Sequence, residues 1–228
     1  MTPSESSGRD LRIVEASTDH VEAAASALAA AFADDPLVAY FFRTHPQGIA
    51  PASRRFFALL LRLRIALGMP ALVLREGDRV LGAAMGYDTE RPTWPEAFAG
   101  EWARLEAETP GLASRMHAYE ALAQSHAPAA PHYYLGVLGV HPSAQGTGSG
   151  RALLAAFCQK SAGDPLSSGV YLETSNPHSR EFYLRQGFVE RGADDLAGTP
   201  LWCVFRSDAL QPAPGAQTRR PATGGGDD

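Results

Sequence analysis

Three stretches of the chain carry residue types and spacings suited to chemistry. The first runs Leu135-Gly136-Val137-Leu138-Gly139-Val140-His141-Pro142 and continues Ser143-Ala144-Gln145-Gly146-Thr147-Gly148-Ser149-Gly150-Arg151. A strand stops at a proline, and a glycine-rich loop opens a helix. Glycines let the backbone approach a ligand closely, and the unpaired N–H groups of a helix start favour an anion, so the segment reads as a phosphate cradle. The second is Glu173, a charge in the middle of an apolar strand pattern, where it needs a reason. The third is Tyr183, a phenol whose ordinary pKa of about 10 leaves it neutral at pH 7 yet able to protonate a departing anion.

Spacing sorts the uses of such a loop. A nucleotide P-loop needs Lys-Ser/Thr after its last glycine, whereas Gly150 is followed by Arg151-Ala152, which removes the phosphate lysine and the magnesium hydroxyl. A dinucleotide fingerprint needs G-x-G-x-x-G and an acid about 20 residues on. Here Gly146, Gly148 and Gly150 run G-x-G-x-G, although Glu173 sits near the expected distance. The remaining pattern is Gln145-x-x-Gly148-x-Gly150 after a strand ending in His141-Pro142.

That pattern resembles the acetyl-CoA motif of the GNAT superfamily of N-acetyltransferases, and more of the chain follows suit. Tyr171-Leu172-Glu173-Thr174-Ser175-Asn176 resembles the family's next strand, and Phe182-Tyr183-Leu184-Arg185-Gln186-Gly187-Phe188 its closing F-Y-x-x-x-G-F signature. The LETS run, the Trp202-Cys203 pair and Ala31-Phe32-Ala33-Asp34 make the chain similar to the puromycin N-acetyltransferase-like branch. The resemblance is strong from Tyr133 to Arg206; from Leu11 to Pro131 it is one of element order and the AFAD run.

The resemblance implies an α/β GNAT fold: a mixed central sheet of about six to seven strands, splayed between two parallel strands and flanked by helices. It implies acetyl-CoA as acetyl donor, with the pantetheine arm in the splay. Main-chain contacts then fall to Leu138 and Val140, whose side chains are core, and pyrophosphate contacts to Gln145, Gly146, Thr147, Gly148, Gly150 and Arg151. Tyr183 corresponds to the tyrosine near the cofactor sulfur, the alternative being simple packing. Asn176 corresponds to a polar contact to the arm, but before Pro177 it reads equally well as a helix cap. Glu173 binds or deprotonates the acceptor amine, or belongs to a buried ion pair. His117, His132 and His141 are further titratable residues with no visible partner.

The implied reaction is direct transfer to the primary amine of a small molecule, such as an aminonucleoside or another antibiotic. The alternatives are a protein or peptide amine as acceptor, and a non-catalytic acyl-CoA sensor. Monomer and homodimer both stay open. The acceptor end falls to residues 32–64 and 94–125, where no residue-level motif matches.

The elements that must position these residues follow from periodicity. Leu11 to Ala16 reads as a strand, and Thr18-Asp19 as the cap of a helix carrying Val21, Ala25, Leu28 and Phe32. Asp35-Pro36 ends that helix, and a short one follows through Phe41. Ser53 to Leu67 is amphipathic, with Arg54, Arg55, Arg62 and Arg64 read as solvated. Ala71 to Arg75 and Val80 to Met85 form a hairpin across Glu76-Gly77-Asp78-Arg79. Helices over Trp94–Glu108 and Leu112–Ser125 come next, the pair forming a lid over the acceptor side. Then follow a strand Tyr133–Val140, a helix Ser149–Ser161, a strand Val170–Thr174, a helix His178–Arg185, and strands Phe188–Arg191 and Leu201–Arg206.

Composition narrows the rest. With 228 residues, 45% hydrophobic and 20% charged, the chain suits one compact domain, set at residues 11–208. Residues 1–10 and 209–228 are expected as disordered tails. A net charge of −5 without a Lys/Arg block gives nucleic acid no purchase. There is no metal-ligand pattern, and Cys158 and Cys203 suit buried positions. No membrane span or leader is read, so a cytoplasmic location is expected.

Overall fold

The computed structural model describes residues 10–210. The expected tails lie outside them, apart from residues 10, 209 and 210.

Among the described residues seven strands form one sheet: β1 (Leu11–Glu15), β2 (Ala71–Glu76), β3 (Arg79–Tyr87), β4 (Tyr133–Val140), β5 (Gly169–Thr174), β6 (Val189–Leu196) and β7 (Thr199–Ser207). Their order is β1-β2-β3-β4-β5-β7-β6, and only β4 and β5 run parallel. The helices are α1 (Val21–Ala31), α2 (Pro36–Phe42), α3 (Ile49–Ala66), α4 (Glu96–Glu108), α5 (Leu112–His126), α6 (Ser149–Ala162) and α7 (Pro177–Arg185). Among the described residues no single helix is long and apolar enough to cross a membrane.

Alternation along the strands, interrupted by irregularities at Leu74/Arg75 and Met85/Gly86, divides two cores. Val73, Ala83, Met85 and Val137 face α1 to α5, whereas Leu72, Leu74, Leu81, Ala84 and Leu135 face α6 and α7. β3 is buried on both sides and so reads as continuously apolar. Cys158 and Cys203 are free and buried.

Several boundaries depart from the periodic reading. Ser17, not Thr18-Asp19, caps the start of the first helix, through a single tight turn over Thr18–His20 in which the Ser17 N–H donates to His20 Nδ1 at 3.0 Å. α3 begins at Ile49 because Pro51 lies in its first turn, where no N–H is needed. β6 runs on to Leu196 despite Asp194-Asp195, since an edge strand leaves those carboxylates in reach of water. The arginines of α3 are not simply solvated. Arg54 pairs with Glu22 at 2.8 Å, Arg55 with Glu108 and Arg62 with Glu101, while Arg64 is buried with its guanidinium 3.8 Å from the Tyr87 ring centre.

Candidate active site

The parallel pairing of β4 and β5 covers only Tyr133↔Val170 and Tyr134↔Tyr171. Beyond it β4 continues to Val140 against β3 alone, and β5 to Thr174 against β7 alone, so a gap opens between them. On one face of β4 this stretch is closely covered at Gly139. A Cβ there would lie 2.7 Å from Phe32 and 2.9 Å from Leu28, because the end of α1 seats directly on the strand.

Backbone alternation decides which groups meet the gap. The His141 N–H donates to Leu81 O at 2.7 Å, on the β3 side. Successive residues of a strand present their N–H and C=O to opposite edges, so Val140 and Leu138 point theirs at the gap. The Val140 carbonyl accepts from Gln145 Nε2 at 3.0 Å, which ties the glycine loop to the strand end. Gln145 also donates its N–H to Pro142 O, so its donors brace the loop. The Thr147 hydroxyl donates to Ala144 O at 2.7 Å for the same purpose.

The loop ends on Gly148 at φ +86°, a left-handed conformation that glycine adopts without strain, and a Cβ on Gly146 or Gly148 would meet nothing within 4 Å. Among the described residues no acceptor takes the N–H groups of Gly146 to Arg151, and the Arg151 side chain is exposed beside them. Unclaimed donors, open space and the start of a 14-residue helix make a fitting seat for a pyrophosphate.

Tyr183, on α7, is 7% exposed and packs between Phe182 and Phe188 at 5.2 and 5.5 Å. Burial first, then the charges of Asp35 and Cys158, push its phenol well above the ordinary range, so it holds its proton until a stronger base forms beside it. Its hydroxyl has no hydrogen-bond partner among the described residues. Asn176 caps α7, its Oδ1 accepting from His178 N at 2.9 Å and Ser179 N at 3.4 Å, which leaves only Nδ2 for any other contact.

Glu173 lies on the opposite face, next to the gap. Its Oε2 accepts from Tyr119 of α5 and Tyr134 of β4, both at 2.9 Å, and the two hydroxyls are 3.0 Å apart. The buried ion pair is therefore not what the structure holds: the partners are neutral phenols. Burial raises the carboxyl above its usual range, while the phenol donors pull the other way. Both tyrosines are themselves pushed well above 10 by burial and by the charge of Glu173, so they stay donors.

Sequence reasoning missed Tyr119, Tyr134 and Asp35. Tyr134 carried a faint signal, a phenol on the less apolar face of its strand; Tyr119, 54 residues from Glu173, carried none. None of the three singled-out histidines bonds to Glu173 or Tyr183. His117 is exposed, His132 meets Ala130 O and His141 meets Ser143.

A sheet parted between two parallel strands, with an anion-type cradle at one mouth, has room for an extended ligand that carries phosphate. Comparison with known proteins sharpens this. The Acetyltransferase (GNAT) family profile matches residues 37–188, and the chain belongs to that family. It is an acetyltransferase whose acetyl donor is acetyl-CoA. Among solved structures it is similar to the histone acetyltransferase HPA2 and related acetyltransferase from Corynebacterium glutamicum, with 26% identity, 86% of this chain and 96% of that chain covered, and a TM-score of 0.62. The polyamine N-acetyltransferase of Drosophila melanogaster, which forms N-acetylagmatine, shares the fold at 19% identity, 86% and 98% coverage and a TM-score of 0.62. The Salmonella typhimurium protein yncA, solved with its cofactor acetyl-CoA, does so at 18%, 90% and 98%, and 0.53.

Proposed function

We propose that the chain transfers the acetyl group directly to the primary amine of a small molecule, with Glu173 taking the amine's proton and Tyr183 supplying one to the departing sulfur. The observation that carries this reading is the separation of the two groups onto opposite faces of the sheet with the gap between them. Acetyl-CoA supplies the thioester. Gly146, Thr147, Gly148, Gly150 and Arg151 hold its pyrophosphate, and the loop is braced by Gln145. Leu138 and Val140 hold the arm through their main chain, and their N–H groups polarise the acetyl oxygen. Asn176 contributes through Nδ2.

The preference for a small acceptor rests on α5. Its Ala123 carbonyl accepts from the Tyr171 hydroxyl at 2.6 Å, and its Tyr119 reaches Glu173, so the helix covers the sheet face where an extended peptide would need an open groove. The similarity to the puromycin N-acetyltransferase-like branch points to an aminonucleoside or another amine-bearing antibiotic. Release of free thiol from acetyl-CoA is measured with puromycin, agmatine and lysine-rich peptides, and the chain is expressed in a puromycin-sensitive host beside Tyr183→Phe. Turnover of small amines, with puromycin as first candidate, is expected. Efficient acetylation of peptides and of no small amine would overturn the acceptor reading and leave the family assignment intact.

A further inference from the structure

We infer that Tyr119 and Tyr134 are positioning residues for Glu173, forming with its Oε2 a ring of three oxygens that holds the carboxylate ready for the acceptor amine's proton. The inference rests on Glu173 meeting the amine, as proposed above.

The ring is defined by its three edges of 2.9, 2.9 and 3.0 Å. Counting protons shows how each state is satisfied. With Glu173 ionised there are two hydroxyl protons, and both are donated to Oε2. With Glu173 protonated there are three protons for three edges, and each oxygen donates once and accepts once around the ring. The carboxyl's other oxygen, Oε1, is enclosed without a hydrogen-bond partner, an arrangement less costly for a neutral carbonyl than for a carboxylate. The enclosed Oε1 favours the protonated carboxyl, while the two hydroxyls, as donors, hold Oε2 ionised until the amine arrives.

The transfer balances simply. An N–H bond of the acceptor ammonium breaks, an O–H bond forms on Glu173, and the nitrogen keeps the electron pair with which it attacks the acetyl carbon. The neighbourhood adds little that competes. Tyr171 lies beside Glu173 on β5, Cys203 faces it from β7, Arg91 approaches from the segment after β3, and Arg64 stands behind Tyr134 from α3. Tyr119 is itself held by an edge-on contact with Phe41 of α2 at 5.3 Å, which fixes its hydroxyl independently of any ligand.

Tyr119→Phe and Tyr134→Phe keep the rings and remove one hydroxyl each. An ionised Glu173 then loses one of two donors, while a protonated one still finds its single acceptor, so proton affinity rises. Infrared titration of the full chain, with the protonated-carboxyl band assigned by its loss in Glu173→Gln, reads this without substrate. The midpoint should rise by about one pH unit in each variant. The acidic limb of kcat/KM for the amine, puromycin or agmatine as the wild type prefers, should move upward with it, while the Kd of acetyl-CoA stays within about twofold. A midpoint unmoved in both variants, or a moved midpoint with an unchanged amine profile, overturns the inference. A wild type that acetylates no amine while the midpoint still shifts would sink the proposed function and leave the ring as a proton-binding unit.

Discussion

Arg115 of α5 donates two hydrogen bonds to the single carbonyl oxygen of Phe41 in α2, from Nη2 at 2.7 Å and from Nε at 3.1 Å. The same guanidinium reaches Thr44 Oγ1 at 2.9 Å and Pro110 O at 3.1 Å, and the residue is 8% exposed. At the far end of α5, His126 Nε2 meets Asp194 Oδ2 at 2.5 Å. The lid expected of this insert is thus tied to α2 at one end of α5 and to β6 at the other.

Arg115→Leu leaves the Phe41 carbonyl and the Thr44 hydroxyl short of a buried donor, and should cost about 2–4 kcal/mol. Urea midpoints measure the loss. The Kd of acetyl-CoA should hardly move, because the glycine loop packs on the other face; a parallel loss of cofactor binding would mean that the two faces are coupled.

Gly148→Val forces a branched side chain into φ +86° and fills the open space above the loop. The strain should lower stability by roughly 1–2 kcal/mol. The larger effect falls on the ligand, since acetyl-CoA raises the melting temperature of the wild type by mass action and should do so far less for the variant. Thermal shifts with acetyl-CoA, NAD and ATP read both effects, and a wild type that responds to NAD or ATP alone contradicts the cradle's assignment.

Tyr183→Phe removes one hydroxyl that makes no hydrogen bond among the described residues, so the fold should be indifferent to it. If the phenol protonates the leaving sulfur, kcat falls about tenfold to a thousandfold, with acetyl-CoA affinity nearly unchanged. Single-turnover rates, which isolate the chemical step, are the appropriate measurement; an unaltered rate there removes Tyr183 from the chemistry.

Glu173 gives stability a pH dependence of unusual sign for a carboxyl. Its proton affinity is raised on folding above the ordinary value of 4.5, so between that value and the raised one the folded state holds more protons than the unfolded. Unfolding free energy therefore falls as pH climbs through this window and levels off above it. Glu173→Gln cannot titrate, and its stability relative to wild type should grow with pH across the same window and then stay constant. Denaturant midpoints of both proteins over a pH series test this, and curves that run parallel throughout would show that folding leaves the carboxyl's proton affinity unchanged.

Much of this architecture was legible in the chain because it is local. Asp35 before Pro36, the Gly77-Asp78 turn, and Asn176 before Pro177 each specify a cap or turn within four residues, and each is where the sequence put it. The same is true of the glycine loop, whose ligand preference follows from missing side chains and unpaired N–H groups over six consecutive positions. Boundaries failed where tertiary context overrode the local pattern, as at β6, whose carboxylates are tolerated only because the strand lies at the sheet edge.

By itself the sequence determined the donor half of the protein. A strand, a glycine turn and a helix start are chemistry written in consecutive residues, and Glu173 and Tyr183 are singled out as candidates by type and place. Only the tertiary structure decided what surrounds Glu173 and what closes the acceptor side. Tyr119, Tyr134 and Glu173 come from a helix and two strands, and Arg115 meets Phe41 across 74 residues of chain. No spacing rule encodes such meetings, because they depend on how α5 packs over the parted sheet rather than on any period along the chain. The gap itself is of this kind: β4 and β5 are both good strands, and their parallel pairing ends after Tyr134 and Tyr171.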